Sequence, residues 1–399
     1  MNKALAGIRI LDLTHMLSGP YGAMILADLG AETIKVEPLY GEGTRKLMAQ
    51  DPSNSLDGMG AYFITLNRNK KSIAINLKSE QGLAVFYDLV RQSDVVISNF
   101  GAAVPGRLKI DYENLEKVNP AIITCTVTGY GSDGPDPDRP AFDLVAQATG
   151  GGMSITGTDA DHPVRAGIPL GDLGGGMFAV MGIQSALLER QRSGRGQHVD
   201  ISMLDCQISM LSYMATMYFL SGKDPLPIGN AHFVHVPYNT YKTTDGTIVI
   251  AVITDNFWDN LKQLVQIEAF HNPKYDTQPG RWADRAMIDS RLSEKFGQQD
   301  TNYWLEKLKN KKIPCAPVNR FSEVFRDEQV LHRNMVIELK HPDGKSTRGP
   351  GNPVKLSRNN EESFSPAPKL GQHTDSVLGE LLGYNPGQIS TLRQQGAIA

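Results

Sequence analysis

Short apolar runs alternate with helical segments through the first third of this chain, and that alternation constrains the fold more than any other feature. Ile8-Arg9-Ile10-Leu11-Asp12-Leu13 reads as a buried strand, followed by a glycine turn at Ser18-Gly19-Pro20-Tyr21-Gly22. Residues 23–29 read as a helix that Gly30 ends, and Thr33-Ile34-Lys35-Val36-Glu37 as a second strand. Further strands are predicted over 71–76, 94–98 and 122–127, with helices over 79–92 and 113–118. Such a succession makes an α/β fold with a parallel, Rossmann-like sheet, whose ligands sit at the carboxyl ends of the strands. The loops at those ends are His15-Met16-Leu17-Ser18, Asn99-Phe100-Gly101 and Thr128-Gly129-Tyr130-Gly131. The first strand–helix–strand unit would place Glu37 on a ribose, but G-P-Y-G is not the dinucleotide fingerprint.

At 399 residues the chain exceeds what one core usually holds, so two domains are expected. A long helix is predicted from Asp172 to about Arg192, then a strand over 198–202 and a second long helix over 203–220. The methionines of that last helix (203, 210, 214 and 217) belong in a core or at a helix–helix interface. Beyond a compositional break at 221–225 lies a smaller α/β block. It has a hairpin over 238–252 turning at Asp245-Gly246, helices near 257–264, 283–296 and 302–308, and a strand over 313–318. Two short helices, over 372–382 and 386–395, end the chain. The expected organisation is a large domain of 1–222 plus 335–399, a small domain of 226–330, and linkers near 221–226 and 330–345.

A net charge of −3 gives no reason to expect nucleic acid or an anionic membrane as partner. Cys125, Cys206 and Cys315 are isolated and odd in number, which suits a reducing cytosol, and no apolar run is long enough to span a bilayer. A cytoplasmic enzyme is the expectation. His232 and His235 have no carboxylate or cysteine at ligand spacing, so no metal is expected. Neither a G-x-S-x-G elbow nor a P-loop is present.

The stretch 166–177 reads A-G-I-P-L-G-D-L-G-G-G-M and sets one carboxylate, Asp172, among glycines at a helix start. Two readings are open. Asp172 caps the helix while the glycines pack, or it is a nucleophile beside N–H groups that stabilise oxyanions. Arg68, Lys70, Lys71 and Lys78, with Arg107 further on, are either solvated or gathered at a sheet edge for phosphate. Asn99-Phe100 adds an amide and an aromatic face suited to adenine. Together these residues suggest a phosphorylated, ring-bearing ligand near a carboxylate.

Several segments, in order along nearly the whole chain, resemble the class III CoA-transferase family, which includes formyl-CoA and carnitine CoA-transferases. They are Gly7 to Asp12 with Gly19-Pro20, Gly30 to Glu37, Asn67 to Ser72, Asn99-Phe100, Arg139 to Asp143, Gly194 to Asp205, and Pro368 to Thr374. The resemblance implies that Asp172 is the catalytic nucleophile. It would attack an acyl-CoA thioester to give a mixed anhydride, then an aspartyl-CoA thioester, before the acceptor acid reverses both steps. With a reference pKa near 3.9, a carboxylate would be ionised at neutral pH and need no base. Gly174 and Gly175 would supply oxyanion donors. The implied CoA contacts are His15, Met16, Leu17 and Ser18; Asn76, Leu77 and Lys78; Asn99, Phe100 and Gly101; Arg107; and Phe142 with Asp143. CoA and acyl-CoA would be substrates rather than permanent cofactors, with a small carboxylic acid as acceptor. The resemblance also implies an interlocked homodimer.

Departures bear on the acceptor. Leu17 stands where formyl-CoA transferase has a glutamine, Pro38 where an arginine is expected, and residues 230–237 hold no second glycine-rich loop. These weigh against oxalate and formate. An α-methylacyl-CoA racemase, built on the same fold, would need a histidine where Phe142 precedes Asp143. A catalytically silent CoA-binding subunit is a further alternative, against which the intact Gly171-Asp172 speaks.

Overall fold

Six strands form one parallel sheet: β1 (Arg9–Asp12), β2 (Glu32–Glu37), β3 (Lys70–Ala74), β4 (Val95–Ser98), β5 (Ile123–Thr128) and β6 (His198–Ser202). Their spatial order is β3-β2-β1-β4-β5-β6, and every pairing is parallel. The order reverses between β1 and β4, which makes that gap the topological switch point. Leu11 lies between Ile34 of β2 and Val96 of β4 in register. Helices cover both faces, so the central strands are buried almost throughout rather than in alternation, polar side chains such as Asp12, Lys35 and Glu37 included. The computed structural model describes residues 3–341, 344–359 and 362–399.

On one face Val85, Phe86, Leu89 and Val90 of the Glu80–Arg91 helix pack with Val377, Leu378, Ile389 and Ile398 from the chain's end. Ile398 bridges to Ile75, so the C-terminal segment is part of this layer. On the other face lie the Ser18–Asp28 and Leu170–Ser193 helices, with Ala23, Leu26, Ala179, Val180 and Ile183 in the core. These two helices cross at glycines. A Cβ on Gly22 would stand 2.8 Å from the Gly176 carbonyl oxygen, and one on Gly176 would stand 2.6 Å from that of Ser18. Only hydrogen fits at either position.

The chain divides into two compact units. The first comprises Met1–Met153, Arg165–Lys223 and His332–Ala399; the second comprises Ser154–Val164 and Asp224–Leu331. The second holds an antiparallel sheet of β7 (Tyr238–Lys242), β8 (Thr247–Ala251) and β9 (Cys315–Pro317), with β8 central. Its core includes Trp258, Leu261, Phe270, Ile288, Phe296 and Trp304. The reading by sequence made no provision for Ser154–Val164, which meets this unit where the Gly229 N–H donates to the Gly157 carbonyl at 2.7 Å. Two residues of the expected 330–345 linker, Pro342 and Asp343, lie outside the described residues.

The single helix expected over 203–220 is two, Met203–Met210 and Tyr213–Ser221. Ser212 between them has φ of 52°, a left-handed conformation that interrupts a helix. Met203 is buried, whereas Met210 and Met217 are exposed, so the methionines do not form one core stripe. Among the described residues no helix is long and apolar enough to cross a membrane.

Candidate active site

Asp172 lies in the first turn of the Leu170–Ser193 helix, but it does not cap that helix. Asp143, from the start of the Asp143–Thr149 helix, does so: its Oδ1 accepts the Gly171 N–H at 2.8 Å and the Asp172 N–H at 3.4 Å. Asp143 also accepts from Gln147 Nε2 at 2.8 Å. Asp172, half-buried and next to that second carboxylate, has its pKa raised to about 7, first by burial and then by Asp143. The expectation of an ionised acid rested on the reference value, and the surroundings of Asp172 lift its pKa well above that. Burial and a like charge both disfavour the carboxylate.

Gly174 and Gly175 are buried inside the helix, where their N–H groups bond to the carbonyls of Leu170 and Gly171. The oxyanion role expected for them does not fit this geometry. Their lack of a side chain serves packing instead. A Cβ on Gly174 would meet Met210 Cε at 2.8 Å, and one on Gly175 would meet Ser18 Oγ at 2.5 Å. That Ser18 hydroxyl is buried and has no hydrogen-bond partner among the described residues.

At the switch point the loops after β1 and β4 are locked together. The His15 N–H donates to Asn99 Oδ1 at 2.9 Å, and Asn99 Nδ2 donates to the His15 carbonyl at 2.7 Å. The His15 and Phe100 rings lie 5.6 Å apart. Beside them is a cavity of about 520 Å³ lined by Leu13 to Met16, residues 36–43, residues 75–78, Phe100 and Leu108. Six of the expected CoA contacts line it: His15, Met16, Asn76, Leu77, Lys78 and Phe100. The walls are mainly apolar, with the exposed Lys78 among them.

The other expected contacts lie elsewhere. Asn99 ties the loops together, Leu17 immediately precedes the Ser18–Asp28 helix, and Gly101 is exposed. Arg107 is exposed on the Ala103–Leu108 helix, whose last residue reaches the cavity. Phe142 is 64% exposed, and Asp143 is committed to the start of the Leu170–Ser193 helix.

Three of the basic residues considered for phosphate are structural. Arg68 forks onto Asp28, Lys70 is buried against Asp12, and Lys71 pairs with Glu32, each at 2.7 Å. Glu37, considered for a ribose, is buried and bound bidentately by Arg45 at 2.7 Å on both oxygens.

Two contributors escaped the reading by sequence. Residues 39–43, which with Pro38 follow β2, form one wall of the cavity; their place at a strand's carboxyl end was the available signal. Tyr62, on the short Ala61–Leu66 helix, has its phenol pKa pushed up by burial and then by the charges of Asp172, Asp143 and Glu42. No local pattern announces it.

The family model for CoA-transferase family III matches residues 5–374. A succinyl-CoA:glutarate CoA-transferase of Mus musculus is 38% identical, over 99% of this chain and 90% of its own length. A succinate–glutarate CoA-transferase of Agrobacterium fabrum is 36% identical, over 94% of this chain and 95% of its own. The solved structure of a CaiB/BaiF family protein from Brucella suis superposes with a TM-score of 0.85 at 34% identity, covering 96% of this chain and all of that one. A parallel sheet with a cavity at its switch point, and a carboxylate at the start of a glycine-packed helix, thus stand in a chain that belongs to CoA-transferase family III and is an enzyme of CoA transfer.

Proposed function

We propose that the protein moves CoA from an acyl-CoA donor to a free carboxylic acid through covalent intermediates on Asp172. The observation that carries this reading is the half-buried Asp172 at a helix start capped by Asp143, which leaves the Asp172 side chain uncommitted to the cap. As carboxylate, Asp172 attacks the donor thioester carbonyl and expels CoA thiolate, leaving an aspartyl mixed anhydride. The thiolate then attacks the aspartyl carbonyl, releasing the donor acid and forming an aspartyl-CoA thioester. The acceptor carboxylate repeats the two displacements in the opposite sense. Each step exchanges one acyl bond for another, so no ATP is consumed. The raised pKa makes the carboxylate scarcer at neutral pH and more basic once formed, which favours attack.

The mainly apolar cavity at the switch point suits an adenine and pantetheine, with Lys78 to meet phosphate and His15, Met16, Asn76, Leu77 and Phe100 around it. For substrates, the mouse and Agrobacterium relatives named for succinate and glutarate support succinyl-CoA as donor and a five-carbon dicarboxylate as acceptor. Leu17 and Pro38, in place of the polar residues of formyl-CoA transferase, agree with an acceptor larger than oxalate. An interlocked homodimer accounts for the apolar side chains left open in the first unit, among them Met181, Leu188, Phe219 and Leu220.

Three experiments test the reading. A donor–acceptor matrix scored by mass spectrometry should show CoA-ester formation with succinyl-CoA and glutarate, and no transfer from any donor would refute it. Hydroxylamine added during turnover should trap a hydroxamate at Asp172. The Asp172→Ala variant should bind CoA but transfer none, and normal turnover in it would remove Asp172 from the chemistry.

A further inference from the structure

Beneath the loop after β1 lies a group of six buried charged side chains whose signs balance: Asp12, Glu37 and Glu42 against Lys35, Lys70 and Arg45. Burying ions is costly unless each is paired and hydrogen-bonded, so such a group calls for a reason. Arg45 and Glu37 satisfy one another. Glu42 accepts from the Thr44 N–H at 3.1 Å, while Lys35 and Asp12 both bond to Thr14 in the loop after β1. Lys35, fully buried, gives its ammonium to the Thr14 carbonyl at 2.8 Å. Asp12 Oδ1 accepts the Thr14 N–H at 2.9 Å and the Thr14 hydroxyl at 2.5 Å. Lys70 holds the other Asp12 oxygen at 2.7 Å and reaches the Pro20 carbonyl at 3.1 Å and Asn67 Oδ1 at 3.0 Å.

The loop so held is under strain. Met16 has φ of 62°, a left-handed conformation uncommon for a side chain of this kind, and such residues persist only where their surroundings over-determine them. On one side of Met16, Thr14 is tied by Lys35 and Asp12, and His15 by Asn99. On the other, Lys70 grips the Ser18–Asp28 helix at Pro20. His15 and Met16 between these anchors line the 520 Å³ cavity. The Asp12–Lys70 pair ties strand to strand, but the Lys35 ammonium and the other Asp12 oxygen both end on Thr14.

We propose that Lys35, with Asp12, is a positioning residue that holds the Thr14–His15–Met16 backbone in its strained, ligand-ready form, so that removing its ammonium weakens CoA binding without impairing chemistry at Asp172. This rests on the reading of the cavity as the CoA site. A preorganised loop binds tightly because its ordering cost is met in the free protein. Lys35 touches no substrate in this scheme; it acts through His15 and Met16.

The experiment uses the full chain with Lys35→Met, which keeps the length of the side chain and loses the charge. Thr14→Val removes only the hydroxyl bond to Asp12 and carries the same comparison should Lys35→Met not fold. Calorimetry with CoA, steady-state kinetics, and amide hydrogen exchange of residues 13–18 are measured on each. For Lys35→Met the expected result is a rise of about tenfold in the Kd for CoA and in the KM for acyl-CoA. Exchange at His15 and Met16 should quicken by a similar factor, while kcat at saturation stays within about threefold. Thr14→Val should move the same quantities in the same direction by less. Unchanged Kd and exchange in the folded variants would overturn the proposal, as would a loss of kcat with Kd unaltered. If the unmodified protein itself does not bind CoA, it is the assignment of the cavity that fails, and the exchange measurement still decides whether Lys35 holds the loop.

Discussion

Asp143 Oδ1 accepts the backbone N–H groups of Gly171 and Asp172 at 2.8 and 3.4 Å, so the carboxylate that closes the helix start stands beside the one proposed to react. Burial first, and this neighbour second, raise the Asp172 pKa to about 7. Attack requires the carboxylate, so kcat/KM should fall as pH drops through about 7. Asp143→Asn keeps an oxygen that can accept the two N–H bonds while removing the charge. Its acid limb should lie at lower pH than that of the unmodified enzyme, which a pH–rate profile would show.

The same environment has a consequence for stability. A carboxylate whose folded pKa exceeds its unfolded value binds more protons when folded, so stability falls as pH rises from near 4 to above 7. Asp172→Asn removes the penalty. It should raise the melting temperature at pH 8, by an amount corresponding to roughly 2 kcal/mol, and change it little at pH 4.

Glycines in one helix should respond differently to the same methyl group. Gly176→Ala would drive a Cβ to 2.6 Å from the Ser18 carbonyl oxygen, and backbone cannot step aside without separating the helices. A cost of about 2–3 kcal/mol is expected. Gly174→Ala would meet only the mobile end of Met210, at 2.8 Å, and gains helix propensity. Its stability should stay within about 1 kcal/mol of the parent. Chemical denaturation of the two variants would test the contrast.

Lys78 lines the cavity, whereas Arg107 does not. Lys78→Ala should weaken CoA binding about tenfold, by loss of a charge-assisted phosphate contact, with a smaller effect at high salt. Arg107→Ala should weaken CoA more than its dephospho form if Arg107 meets the 3′-phosphate. Calorimetry with both ligands at two salt concentrations separates these outcomes.

The sheet was legible because its determinants are local. Apolar runs such as Val95-Val96-Ile97, punctuated by Gly30 and by the Ser79 cap on Gly82, specify strands and helices whatever lies beyond them. Asp172 stood out for the same reason, as one acid among glycines. The break at Ser212 was not legible, since the residues on either side, Met203 to Leu220, are all compatible with helix. Nor were the partners of the cations. Arg68, Lys70 and Lys71 look like solvated or phosphate-binding residues until Asp28, Asp12 and Glu32 are brought beside them from 39 to 58 positions away.

From the order of its residues alone, this chain determines a parallel α/β sheet, the loops at its carboxyl ends, and a glycine-flanked carboxylate at a helix start. Those are properties of propensity and spacing over a few turns. Which acid caps the helix, which glycines pack rather than donate, which charges are buried, and how far the Asp172 pKa moves were decided only by the tertiary structure. Each depends on a neighbour distant in sequence, and both desolvation and Coulomb energy are set by distance in space.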